Sequence, residues 1–309
     1  MSIRTEQAIR RDWEPAHGPL LSILCPAYNQ QAYIAQTLDS FLAQETRFAF
    51  EILVNDDASS DGTTAIIADY AQRYPNIIRP IFHSQNQYQQ GKLFFPDLFN
   101  RAQGKYLAYC DGDDFWTDPL KLQKQVDFLE ANPDYVITYH DALITDEKGS
   151  HGVQLSAEWQ RDASRMDLLR GRRISTLTTC FRNVLHELPR ELEQAPLLDV
   201  CWWSMLGAHG KGKYMPEIAP GAYRVHNGGM FSMRAGKQKL HMSLQTYACL
   251  ANYYQKQGDQ PLYEYYLVQV FGLSLSAISP LQKLNALLLV ARNVSANLFK
   301  RLTVSVSRG

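Results

Sequence analysis

Asp111, Asp113 and Asp114 stand within four residues, in Cys110-Asp111-Gly112-Asp113-Asp114-Phe115-Trp116, directly after the apolar run Tyr106-Leu107-Ala108-Tyr109. Ionised carboxylates this close, at the exit of a buried strand, repel one another unless a cation or hydrogen-bond donors neutralise them. Asp111 and Asp113 lie two apart, so an extended backbone aims both the same way, and Gly112 between them lets a ligand approach the main chain. Oxygen donors suit a hard divalent ion, Mg²⁺ or Mn²⁺, which usually also holds phosphate oxygens. Taken alone, the same residues also fit a solvated acidic turn with Asp114 capping the helix near Pro119. The rest of the chain weighs toward the ion.

Those carboxylates need elements to position them. Leu20 to Cys25 is a short apolar strand that Pro26-Ala27-Tyr28-Asn29 breaks, and Ile34, Leu38, Phe41 and Leu42 follow at helical spacing. Glu51 to Val54 is a second strand, ending in Asn55-Asp56-Asp57-Ala58-Ser59-Ser60-Asp61-Gly62. A helix with Ile66, Ile67 and Tyr70 on one face comes next, then a third strand, Ile77 to Phe82. A polar stretch and a helix around Leu93 to Ala102 lead into the strand that ends at Asp111. This alternation is the signature of a parallel sheet with crossover helices, and such sheets bind ligands beyond the carboxyl ends of their strands. Tyr28-Asn29, Asp56-Asp57 and Asp111 to Asp114 all fall at such ends, so one shared site is expected. Further on, Pro119 to Ala131 reads as a helix, Tyr135 to Asp146 as strands, Ser175 to Phe181 as β-like and Leu197 to His209 as a helix. Tyr223-Arg224-Val225-His226 is a short strand running into Asn227-Gly228-Gly229, and the pattern is helical from Lys239 onward.

With 31 basic and 31 acidic residues, 45% hydrophobic and 20% charged, the 309-residue chain has the balance of an ordinary soluble enzyme, and zero net charge argues against a general nucleic-acid binder. Cys25, Cys110, Cys180, Cys201 and Cys249 are scattered and odd in number. That favours reduced thiols in the cytosol over a zinc site or a disulfide scaffold. The polar stretch Met1 to Gly18 lacks the apolar run of a signal peptide, and no run approaches the length of a membrane span. Pro280 to Gly309 carries Lys283, Arg292, Lys300, Arg301 and Arg308 with no acid, interleaved with Leu284, Leu288, Val294, Leu298 and Leu302. Such a basic amphipathic segment either lies on an anionic membrane, which would place the protein peripherally on the inner face of the plasma membrane, or packs on the domain as a helix.

In order, Leu21 to Asn29, Glu51 to Ser59 with Asp61-Gly62-Thr63, Gly104-Lys105-Tyr106 through Asp114, and Leu198-Asp199 with Trp203, Gly210 and Tyr223 to His226 resemble the motifs of the family 2 glycosyltransferases, in particular bacterial surface-polysaccharide members. The resemblance covers about residues 20 to 232. It implies the GT-A fold, an α/β, Rossmann-like, mostly parallel sheet flanked by helices, here with a C-terminal helical appendage. The domain reading is then a polar arm at 1–19, a catalytic domain at 20–232 and a helical region at 233–309. The catalytic domain would divide into a nucleotide-binding half (20–114) and an acceptor half (115–232).

The activity implied is inverting transfer of a sugar from a nucleotide-diphospho-sugar, a UDP-sugar by preference, to a lipid-linked or surface-glycan acceptor. By resemblance Asp113 is the direct ligand of Mn²⁺ or Mg²⁺ and Asp111 lies nearer the ribose. Asp57 accepts a hydrogen bond from the base, Tyr28 stacks on it and Pro26 shapes the loop. Asp199 sits at the position of the base that takes the acceptor's proton, although Leu198 stands where many members carry a second acid. Trp202 and Trp203 are candidates for a platform under an acceptor sugar, but neighbours on a helix point apart, so at most one serves and the other is core. Arg224 and His226 share a strand face and are expected to close over the diphosphate, His226 as a further metal ligand or a phosphate donor. Asn55, at a position usually aliphatic, is the other departure. Two rivals remain: a binding or scaffold protein of this fold without catalysis, and a sugar-nucleotide nucleotidyltransferase. The second is disfavoured because Pro26 to Gln31 has neither glycine nor a basic residue to hold a triphosphate.

Overall fold

A computed structural model of the protein describes residues 4–14, 18–91, 95–146, 149–153, 157–226, 234–277 and 282. The elements in chain order are α1 (Glu6–Arg10), β1 (Leu21–Ala27), α2 (Ile34–Leu42), β2 (Phe50–Asp56), α3 (Thr63–Arg73), β3 (Ile78–Phe82), α4 (Phe95–Arg101), β4 (Tyr106–Tyr109) and α5 (Lys121–Ala131). They continue with β5 (Tyr135–Tyr139), β6 (Ala142–Asp146), β7 (Gly149–Val153), α6 (Arg165–Leu169), β8 (Cys180–Arg182), α7 (Leu198–Leu206), β9 (Lys211–Tyr214), β10 (Gly221–Arg224), α8 (Gly236–Gln257) and α9 (Gln260–Ser276). Seven strands form the main sheet in the order β3-β2-β1-β4-β8-β5-β9. β1 pairs in parallel with β2 and β4, and β2 with β3, while β8 runs antiparallel to both β4 and β5.

All seven residues of β1 and all seven of β2 are buried, because helices cover both faces of the sheet. Leu21, Ile23 and Cys25 pack with Ile34, Leu38 and Phe41 of α2 on one face. Leu24, Leu53, Leu107 and Tyr109 pack toward α7 and the C-terminal helices on the other. β1 runs through Pro26 to Ala27 instead of breaking before it. Pro26 accepts from the Gly112 amide through its carbonyl (2.9 Å). Its missing N–H therefore faces past the end of β4, where no ladder bond is needed, and pairing with β2 continues through Ala27. Ser175 to Phe181 divides into a 3₁₀ turn, Thr176–Thr178, and the short β8.

A second sheet, β10-β6-β7, stands beside the acidic loop, and Phe115 exchanges both backbone hydrogen bonds with Ala222 to join the two. α8 and α9 form a hairpin through Gly258, whose φ of +74° favours glycine, and pack on α7. The five cysteines are free thiols. Among the described residues no helix is long and apolar enough to cross a membrane. The basic segment from Pro280 to Gly309 lies outside the described residues, apart from Gln282.

Candidate active site

The three polar clusters meet at the carboxyl ends of β1, β2 and β4. Both loops leave through left-handed residues, Asn29 (φ +52°) after β1 and Ala58 (φ +59°) after β2, and they are tied together. Asn29 Oδ1 accepts from the Ser60 amide (2.8 Å), and the Asn29 amide donates to Ser59 Oγ (2.9 Å). Asp56 accepts from the Ser59 amide and from the Thr64 hydroxyl, and Asp61 from the Thr63 amide, so both acids serve the turn. Asp57 is buried, and its two oxygens accept from the amides of Gln87 (2.6 Å) and Tyr88 (3.1 Å), folding that segment over the end of β2. Tyr28 is 40% exposed beside it, an open aromatic face at the rim.

The acidic loop is held from beneath by one side of α2. Tyr33, Gln36, Thr37 and Ser40 follow helical spacing. The Thr37 hydroxyl, fully buried, lies 2.9 Å from the Gly112 carbonyl and 2.6 Å from that of Asp114. Ser40 Oγ accepts from the Trp116 amide (3.2 Å). A Cβ at Gly112 would lie 2.3 Å from Gln30 Oε1 and 3.2 Å from the Pro26 carbonyl, so the Gln30 side chain would have to turn away. Asp114 is buried and accepts from the Arg224 amide (2.8 Å). Burial, with Asp113 and Asp111 alongside, drives its pKa well up. Asp111 is pushed up to about 7, by burial first and then by the charge of Asp113, while the Tyr109 hydroxyl (3.2 Å) opposes the shift.

His226 and Arg224 converge on Asp113, as their shared strand face implies. His226 Nε2 is 2.9 Å from Asp113 Oδ2, with its ring 4.5 Å from that of Tyr33. The Arg224 guanidinium donates to the Asp113 carbonyl and to Gln36 Oε1 (2.7 Å), and lies 4.7 Å over Tyr33. Two of its five N–H donors brace the loop in this way. Asn227-Gly228-Gly229 and Lys92 lie outside the described residues.

The donor set can be tested for fit to a divalent ion. Neighbouring ligands on an octahedral ion at about 2.1 Å are about 3 Å apart, close to the Asp113–His226 separation. The repulsion that raises Asp111 is what a cation would relieve. The residues present therefore fit. Among the described residues no group of three such side chains encloses an ion by itself, so remaining positions would fall to water or phosphate oxygens.

Asp199 reaches this place from the other half of the chain. It lies in the first turn of α7, one residue inside the helix rather than at its cap. α7 packs on β4 through Trp202, whose ring lies 5.8 Å from that of Tyr109, and the charge of Asp199 is among the influences that raise the pKa of Asp111 and of Tyr109. Burial raises its own pKa, and the backbone amides of Val200 and of Asp199 itself partly offset this. Trp202 and Trp203 are 5% and 0% exposed, which corrects the aromatic-platform expectation for both. Trp203 donates to the Ile174 carbonyl (3.2 Å) and packs on Phe181, while Trp202 packs on Phe99 and Tyr109. Their task is to seat α7, and so Asp199, against β4. A cavity of about 690 Å³ under α1, lined by Trp13, Glu51 and Arg79, is at the opposite ends of the strands and far from these groups.

Tyr33 and Thr37 are site-building residues that the sequence did not single out, and Asp114, read there as part of the acidic cluster or a helix cap, instead accepts from the Arg224 amide. The only sequence signal for Thr37 and Ser40 is that two hydroxyl residues sit among inward-facing apolar positions of α2.

Comparison with known proteins gives the family and the fold. The chain is 41% identical over 163 residues to the uncharacterized protein Rv1520 of Mycobacterium tuberculosis, covering 52% of this chain and 46% of that one. It is 34% identical over 111 residues to TuaG of Bacillus subtilis, provisionally named a teichuronic acid biosynthesis glycosyltransferase, covering 36% and 42%. The chain spans about half the length of the curated relatives it matches. Among solved structures, Staphylococcus aureus TarS 1–349 in complex with UDP-GlcNAc superposes with a TM-score of 0.55 at 17% identity, over 82% of this chain and 81% of that one. The mannosyltransferase PcManGT of Pyrobaculum calidifontis, in complex with GDP-Man and Mn²⁺, gives 0.52 at 15%, over 94% and 87%. At such identities these likenesses establish the fold, which is GT-A. The family model "Glycosyl transferase family 2" matches residues 22–188, more than half of the sequence, and the chain belongs to that family.

Proposed function

We propose that the protein is an inverting, metal-dependent glycosyltransferase that moves a sugar from a nucleotide-diphospho-sugar, a UDP-sugar first, to a lipid-linked or surface-glycan acceptor in cell-envelope polysaccharide synthesis. The observation that carries the reading is the convergence of Asp111, Asp113 and His226 with Asp199, which stands 86 residues or more away from the first two in sequence and in the opposite half of the fold. One group is suited to hold a leaving diphosphate, the other to take a proton. Asp113 and His226 would hold the ion, and its charge, when bound, offsets the negative charge that develops on the departing diphosphate. Asp199 accepts the proton of the attacking hydroxyl, and its raised pKa makes it a stronger base than an exposed aspartate. Tyr28 offers a stacking face for the base. Asp57, which holds the Gln87–Tyr88 turn, keeps a lone pair for it. Asp114 and Arg224 fix the loop rather than touch substrate.

The UDP-GlcNAc bound to TarS and the GDP-Man and Mn²⁺ bound to PcManGT support a nucleotide-sugar donor, and the name of TuaG supports an envelope glycan as product. The test is nucleotide release from a panel of UDP- and GDP-sugars, with Mn²⁺ or EDTA, with and without acceptor glycolipid. Mn²⁺-dependent, acceptor-stimulated release from one donor class is expected. Failure of every nucleotide to bind sinks the reading, and binding without turnover favours the non-catalytic alternative.

A further inference from the structure

The chain is neutral overall, yet its charge is segregated. Residues 234–309 hold nine basic and two acidic residues, which leaves 22 basic against 29 acidic in residues 1–233. The two acids, Asp259 and Glu264, both sit at the turn end of the α8–α9 hairpin. Asp259 caps α9 and Glu264 accepts from Gln260. From Tyr265 to Ala277, α9 carries no charge of either sign. Its inner side is accounted for, since Tyr266 is fully buried against Tyr247, Tyr254 and Ser204. Its outer side carries Leu267 43%, Val268 65% and Phe271 51% exposed on one helical face, which begins one turn beyond the exposed Glu264 at the hairpin end. A surface helix of a domain that meets only water normally carries charge there. α8 runs antiparallel to α9, so its opening turns, with Lys237 and Lys239 next to Arg234, lie at the same end as the uncharged turns of α9. No acid occurs between Arg234 and Gly258.

We infer that this end of the hairpin is a docking face for an anionic lipid bilayer. Leu267, Val268 and Phe271 enter the boundary between headgroups and acyl chains, and the lysines of α8 meet lipid phosphates. Charge decides among the occupants. A second copy using the same face would bring two basic ends together. The stretch from Lys283 to Arg308, with five basic residues and no acid, would be repelled by the same lysines if it folded back here. An anionic surface with an apolar interior satisfies both features at once. The inference deepens the lipid-linked branch of the proposed function. α8 also supports the start of α7, where Thr246 Oγ1 accepts from the Leu197 amide, so a docked hairpin holds the Asp199 side of the site near the lipid surface.

The experiment is co-sedimentation of the full-length protein with vesicles of phosphatidylcholine alone and of phosphatidylcholine with phosphatidylglycerol, at low and high salt. Val268→Ser/Phe271→Ser and Lys237→Glu/Lys239→Glu are compared with wild type, with thermal melts, light scattering and UDP binding measured on the same samples. Wild type should bind the anionic vesicles and release at high salt. Each double variant should lose about tenfold or more in partitioning with its melt unchanged. No binding by wild type, full binding by both variants, or a dimer that the serine pair dissociates would overturn the proposal. If the serine pair melts early, hydrogen exchange on wild type decides. Slower exchange at residues 265–273 on adding anionic vesicles supports the face, and unchanged exchange overturns it. UDP binding that fails in wild type would count against the transferase reading and not against this one.

Discussion

Replacing Thr37 by valine probes how the acidic loop is held. The hydroxyl has one proton and lies 2.6 Å from the Asp114 carbonyl, 2.9 Å from that of Gly112 and 3.4 Å from that of Tyr33, with the side chain fully buried. Valine keeps the shape and removes the donor, leaving a buried carbonyl without it at a cost of about 1–3 kcal/mol. The new methyl would stand nearer two oxygens than the roughly 3.3 Å at which carbon and oxygen meet comfortably, so the loop must also move by a few tenths of an ångström. That displacement falls on Gly112 and Asp114, on either side of Asp113, so Mn²⁺ binding should weaken as well. Urea denaturation gives the stability loss, and calorimetric titration of Mn²⁺ in the presence of UDP gives the affinity. Thr37→Ser, which retains the hydroxyl, should lose less than half as much in both. A loss below about 0.5 kcal/mol for valine, within the range of an ordinary surface change, would refute the reasoning. So would a serine variant as damaged as the valine one.

Asp199→Asn keeps the size of the side chain but cannot accept a proton, so kcat should fall by about 10²–10⁴ with UDP binding and melting temperature preserved. A kcat within a few-fold of wild type moves the base elsewhere. Asp113→Ala should abolish Mn²⁺-dependent nucleotide binding, read by calorimetry, because His226 would be left as a lone ligand beside Asp111; undiminished Mn²⁺ dependence removes the metal reading. His140 is buried with its pKa lowered to about 3, by desolvation first and then by the nearby Lys121 charge. Between about pH 6.5 and 3 the unfolded chain takes up a proton that the native imidazole refuses, so stability should fall with acidity by up to about 1.4 kcal/mol per pH unit, or about 2 kcal/mol by pH 5. Urea melts of His140→Asn should lack this share of the slope, and identical pH profiles for the two proteins would contradict it.

The sequence by itself determined the parallel part of the sheet and the family. Apolar runs ending in Tyr28-Asn29, Asp56-Asp57 and Asp111 to Asp114 follow a local period, and a parallel sheet must present such ends along one edge, so the shared site was legible before any contact was known. The turn that follows β2 is held by local bonds, the Thr63 amide to Asp61 and the Ser59 hydroxyl to Asp56, as turn chemistry is local. Only the tertiary structure decided the direction in which each remaining group points. Adjacent tryptophans on α7 look alike in sequence, and burying the helix on two sides between β4 and the α8–α9 hairpin took both. Arg224 carries the charge that a diphosphate would attract. The bonds between the Phe115 and Ala222 backbones set it beside the Asp113 carbonyl, Gln36 and Tyr33. Thr37 and Asp114 are 77 positions apart, and no period in the chain relates them. Side-chain direction follows from which distant surfaces close on one another, and that closure is settled by burial of the whole sheet rather than by any stretch of residues.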